Sequence, residues 1–153
     1  MTTYTAKICW SRGEDRFTGN KYSRVHTWAF DGGAVVTASS SPHVVPVPYS
    51  SAEAIDPEEA FVASLSSCHM LWFLHLAAKR GFVVEQYEDS AEGVMARNES
   101  GKLAMTEVSL YPKAIFAGDL QPNASDIEQL HHAAHEECFI ANSVKSKVQV
   151  VIR

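Results

Sequence analysis

Hydrophobic and polar positions alternate over Tyr4 to Trp10 and again over Tyr22 to Phe30, the period-two pattern of half-buried strands. Asp31-Gly32-Gly33 supplies a turn into Ala34-Val35-Val36-Thr37, which predicts a hairpin. From Ser39 to Tyr49, Pro42, Pro46 and Pro48 remove backbone donors and fix φ, so an extended surface loop is expected. Loops of this kind often line sites. At Asp56 the period changes. An aspartate N-cap, a first-turn Pro57, and Glu58 and Glu59 at the positive end of the helix dipole predict a helix running to about Arg80 and stopped by Gly81. Phe61, Leu65, Leu71, Trp72, Phe73, Leu74 and Leu76 surround nearly the whole of its second half. Such a helix belongs at the centre of a molecule or in an oligomer interface.

Two long β-like runs follow, Phe82 to Ala96 and Lys102 to Phe116, joined at Asn98-Glu99-Ser100-Gly101 as a hairpin. Ser125 and Glu128 read as a capping box opening a second helix over about Asp126 to Cys138. Its inward positions are Ile127, Leu130, His131, Ala134, His135 and Cys138, at helical spacing. Asn142 breaks the helix, and Ser146 to Ile152 reads as a last strand. The order predicts a single α+β domain over residues 1–153, built round one long helix.

At 153 residues, 46% hydrophobic and 20% charged, the chain has the material for a folded core, which excludes a disordered or collagen-like protein. A net charge of −5 offers no general grip on nucleic acid or anionic membranes. The stretch Ala60 to Ala78 is about as long as a membrane span, but Ser64, Ser66, Ser67, His69 and His75 interrupt it, so a buried helix is expected. Three cysteines do not make a disulfide scaffold, and Met1 to Lys7 lacks the apolar run of a signal peptide; a cytosolic protein is expected.

Cys68 lies in the middle of the first helix, beyond reach of the dipole at its start. A buried cysteine commonly serves as a small hydrophobe, and reactivity requires a cation or donor brought from elsewhere in the fold. Cys138 shares a helical stripe with His131 and His135, a spacing that also suits zinc; the alternative is a helix face of partly buried histidines. Cys9, beside Trp10, reads as packing.

The segments Asp56-Pro57-Glu58-Glu59 through Ser67-Cys68-His69-Met70 and His132-Ala133-Ala134-His135-Glu136-Glu137-Cys138 resemble the OsmC/Ohr family, the osmotically induced and organic hydroperoxide resistance proteins. The resemblance implies an OsmC-like fold with antiparallel sheets around a long central helix, in an intertwined homodimer with sites at the interface. It implies a thiol peroxidase without a cofactor, in which Cys68 is the peroxidatic and Cys138 the resolving cysteine. Glu58 matches the family's acidic residue at the helix start. Arg24 best matches the thiolate-stabilising arginine, with Arg16 and Arg12 as substitutes.

These assignments are chemically coherent. A guanidinium favours the thiolate and does not give up its own proton, and Glu58 would hold that guanidinium in a bidentate pair. Phe61, Trp72, Phe139 and the proline loop are expected to form an apolar mouth for organic hydroperoxides, with core packing as the alternative role. The expected reductant is a dithiol, a dihydrolipoyl group by resemblance. Phe139 stands where many relatives have proline, and Arg24 lies in Ser23-Arg24-Val25 rather than among glycines. Two other readings remain open: a non-catalytic binder of small ligands, and a zinc protein using His131, His135 and Cys138.

Overall fold

The computed structural model describes residues 1–152 and divides into two compact units, Met1–Ala60 and the chain from Phe61 onward. In the first, β1 (Ala6–Cys9), β2 (His26–Phe30) and β3 (Val35–Ala38) form an antiparallel sheet in that order. The predicted hairpin closes as Phe30 N–H donates to Ala34 O at 2.9 Å and Gly33 N–H to Phe30 O at 3.0 Å. Strand β2 starts later than the alternation suggests. The Arg24 N–H leaves the ladder and donates to Tyr49 O at 2.8 Å, tying this segment to the proline-rich loop.

Helix α1 spans Pro57–Lys79, and local chemistry sets both of its ends. Asp56 Oδ1 accepts the Glu59 N–H at 2.8 Å while Glu59 Oε2 accepts the Asp56 N–H at 3.2 Å, a reciprocal capping box. At the other end Gly81 has φ +83°. Phe82 N–H donates to Ala77 O and Gly81 N–H to Ala78 O, both at 3.0 Å, the paired bonds of a glycine-terminated helix.

The second unit adds β4 (Val83–Asp89), β5 (Glu92–Arg97), β6 (Leu103–Leu110), β7 (Pro112–Ala117), α2 (Ala124–Glu137) and β8 (Lys147–Val150). The hairpin turn forms as predicted, with Asn98 N–H donating to Lys102 O at 2.9 Å. Each long run, however, is broken in two, and its halves join different sheets, β4-β7 and β5-β6-β8. The breaks face one another. The Tyr111 N–H donates to the Asp89 carboxylate at 2.7 Å instead of to a strand carbonyl, and the next residue, Pro112, has no N–H to give. Strand β8 pairs parallel to β6, so the expectation of purely antiparallel sheets is corrected; α2 lies in the connection that a parallel pair requires.

Helix α2 also starts earlier than expected. Asn123 caps it, accepting the Asp126 N–H at 2.9 Å while Asp126 accepts the Asn123 N–H at 3.0 Å. Ser125 Oγ instead accepts from Gln129 at 3.1 Å. Asn142 does not break the helix, which ends at Glu137, and falls within a short 3-10 turn at Ala141–Ser143.

Although α1 is long and apolar enough to cross a membrane, the line Leu65, His69, Phe73 and Ala77 is buried. Phe73 and Ala77 pack with Phe82 and with Leu130 and Ala134 of α2. Leu65 packs with Val108 and Leu110 of β6. Gly93 of β5 allows this close approach, because a Cβ there would overlap Val62 and Met105. Two apolar clusters thus hold α1 against α2 and the strands, and fix the height of residue 68.

Candidate active site

Cys68 is half-buried on α1, and Cys138 is buried at the C-terminal cap of α2; both are free thiols. The fold brings them together: Cys68 stands close enough to Cys138 to act on its thiol. Cys138 Sγ accepts the Ala141 N–H at 3.4 Å. Burial, and then the neighbouring Cys68 thiol, push the Cys138 thiol up to about 11, with the backbone donors of Ala141 and Ile140 pulling the other way. A helix C-terminus further disfavours negative charge. Cys138 is therefore held as a protonated thiol next to Cys68, ready to form a disulfide if Cys68 is oxidised.

Arg24 and Glu58 lie in the first unit. The Arg24 guanidinium is half-buried, donates from Nη1 to Asn20 O at 2.8 Å and Tyr22 O at 2.5 Å, and sits 3.7 Å over the Tyr22 ring. His26 Nε2 accepts from Trp28 at 2.9 Å, so its Nδ1–H donates to Arg24 O at 2.7 Å. The residue is thus anchored along its backbone and at its head. Arg12 and Arg16 are exposed, and Arg12 donates from Nη1 to the Asp15 carbonyl at 2.8 Å. Within one chain Glu58 and Arg24 form no ion pair: among the described residues the ion pair is Arg80–Asp126. Backbone carbonyls and the Tyr22 ring hold the guanidinium instead. Glu58 is half-buried in the first turn of α1.

The aromatic residues of the expected mouth divide. Trp72 and the exposed Phe139 meet edge-on with centroids 5.4 Å apart. Phe61 packs instead with the Leu65, Val108 and Leu110 cluster, and borders a groove of about 910 Å³ beside Met105 and Val144.

The sequence reading did not anticipate a buried histidine pair. His69 Nε2 and His131 Nδ1 are 3.0 Å apart, the rings are parallel to within 6°, and His131 stacks on Phe73 at 4.3 Å. The pair joins α1 and α2 one residue past Cys68. Nearby, Ser66 Oγ donates to the Asp89 carboxylate at 2.5 Å. A detectable signal was the strict i, i+4 line Leu65, His69, Phe73, Ala77, which places His69 on the inward stripe. Cys138 turns to Cys68, and among the described residues no group of three or more His, Cys, Asp or Glu is placed to hold a metal ion. The zinc set His131, His135 and Cys138 is thus not assembled.

Burial lowers both His69 and His131 to about 4; for His69 the neighbouring His131 and His135 add to this, and Asp89 opposes it. An ordinary unfolded histidine titrates near 6.5. Because the folded values lie below the unfolded one, the unfolded chain binds more protons between them. The pair's stability is therefore complete above about pH 6.5 and is lost as pH falls toward 4. Urea unfolding at pH 7 and pH 5 reads the upper part of this loss. A His69→Leu/His131→Leu chain should lose less than half as much as the native chain, and an equal loss would remove the pair as its source.

The profile of OsmC-like proteins matches residues 50–153. An OsmC-like protein of unknown function from Vibrio cholerae is 51% identical, with a TM-score of 0.98 and complete coverage of both chains. The organic hydroperoxide resistance protein OhrB of Bacillus subtilis has the same fold at 20% identity and a TM-score of 0.64, over 98% of each chain. An organic hydroperoxide resistance protein from Elizabethkingia anophelis matches at 16% identity and a TM-score of 0.69, over 99% of this chain and 95% of that one. Comparison with curated proteins gives no match.

Proposed function

The chain belongs to the OsmC-like protein family, and on that premise we propose that it is a cytosolic thiol peroxidase reducing organic hydroperoxides. The observation that carries the proposal is the contact of two free thiols, Cys68 and Cys138, brought together from separate helices. The names of the Bacillus subtilis and Elizabethkingia anophelis proteins point to the same class of substrate.

The Cys68 thiolate attacks the terminal peroxide oxygen, the O–O bond breaks, and the alkoxide takes a proton to leave as alcohol. Cys68 becomes a sulfenic acid. The Cys138 thiol then attacks that sulfur, an S–S bond forms, and the sulfenic oxygen departs as water with the thiol proton. A dithiol, a dihydrolipoyl group in this reading, returns both cysteines to thiols by exchange. Arg24 favours the Cys68 thiolate, Glu58 of a second copy completes the arginine's electrostatics, and the Trp72–Phe139 pair receives the organic group.

The working unit is a homodimer in this proposal. Leu71 stays 60% exposed on α1, and the helix is apolar around its circumference, as expected of a surface covered by a second copy. The test is a steady-state assay of several hydroperoxides with several dithiols. Cumene or lipid hydroperoxides should be consumed at higher kcat/KM than hydrogen peroxide, with turnover sustained only by a dithiol. Dithiol-independent loss of peroxide, or no loss at all, would overturn the reading.

A further inference from the structure

Away from the thiol pair, Glu128, His131, His132 and His135 of α2 face Val148, Val150 and Ile152 across a cavity of about 280 Å³. Their i, i+3, i+4, i+7 spacing is one helical stripe, on which residues four apart are neighbours. His131 is only 2% exposed. Its Nδ1 is taken by His69, whereas its Nε2 has no hydrogen-bond partner among the described residues and is not sealed from the cavity. His135 is the mirror case, with Nδ1 buried and unpartnered and Nε2 the nitrogen left to meet the cavity. An imidazole with one nitrogen fixed by a second ring and the other open is the arrangement of a ligating histidine, whose supporting bond orients the ring.

We propose that His131 and His135 form an exchangeable binding site for a divalent d-block cation such as Zn²⁺, with Glu128 or His132 closing on it from the rim. Paired imidazoles select this class, because magnesium and calcium require oxygen ligands. No three donors already converge among the described residues, so the ion arrives with water in its remaining positions, and the third protein ligand comes by rotation of the exposed Glu128 or His132. A cation on His131 Nε2 places the ring proton on Nδ1, where it donates to His69. His69 is then a positioning residue that touches no metal.

The experiment uses the full, tag-free chain carrying Cys68→Ser, so that the thiol pair cannot compete for the probe. Zn²⁺ is titrated while the imidazole nitrogens are followed by nuclear magnetic resonance and the heat by calorimetry. One equivalent should bind and shift the Nε2 signals of His131 and His135, leaving His26 and His43 unmoved. His135→Gln should weaken binding at least about tenfold, and His69→Gln by about 10- to 100-fold, the usual cost of losing a supporting contact. Binding that leaves the His131 and His135 signals in place, or that is unchanged in His135→Gln, would overturn the site, as would no binding at all. The nitrogen signals of the parent chain decide the matter if either variant fails to fold.

Discussion

Cys68→Ser is expected to abolish peroxide consumption, with the loss complete in a single turnover as well as at steady state. Only the thiolate of the attacking residue can break the O–O bond, and a serine hydroxyl at the same place on α1 is not ionised at neutral pH. Cys138→Ser is expected to behave differently: one rapid turnover, then a stall unless an external thiol is supplied. Cys138 is buried and pushed up to about 11, so it is a poor first attacker, but its place beside Cys68 suits it to capture the sulfenic acid. Without that capture, excess peroxide should carry Cys68 on to the sulfinic acid. Rapid mixing with one equivalent of hydroperoxide separates the two steps. Equal loss of the burst in both variants would contradict the division of roles.

Mixed dimers of two inactive variants should recover activity. Glu58 and Cys68 stand ten residues apart on the uninterrupted helix α1, which amounts to about 15 Å along the axis and roughly 80° in facing. One helix cannot bring them into contact, and among the described residues Glu58 makes no ion pair with Arg24. If a second copy covers the apolar surface of α1, its own Glu58 can serve this Cys68. Unfolding and refolding Glu58→Ala together with Cys68→Ser then creates one site with native Glu58 from the second variant and native Cys68 from the first. Each mixed dimer should show about half the activity of a native dimer, since one of its two sites is whole. Verified mixed dimers without recovery would restrict Glu58 to its own chain or remove it from the chemistry.

How far the sequence could be read followed the range of the interactions involved. The ends of α1 were legible because Asp56, Glu59 and Gly81 act on backbone groups within a few residues. The start of α2 was misplaced because Ser125 with Glu128 and Asn123 with Asp126 both satisfy a capping pattern, and the Asn123 pair is the one that forms. The bend at Asp89 and Tyr111 depends on a bond spanning 22 positions, and the histidine pair on one spanning 62. Neither leaves a periodic mark. Cys68 and Cys138 were identifiable as residues through the family resemblance, whereas their contact is a product of how α1 packs on α2. Arg24 was selected by position, but its anchoring within one chain on the Tyr22 ring and the Asn20 and Tyr22 carbonyls was not visible.

The most direct measurement of the central claim is mass spectrometry of the reduced chain after one equivalent of cumene hydroperoxide. The two-thiol account predicts the loss of two hydrogens and a proteolytic fragment in which Cys68 is joined to Cys138, with Cys9 still a free thiol. An unchanged mass, or a stable oxygen adduct on Cys68 with Cys138 left reduced, would contradict it.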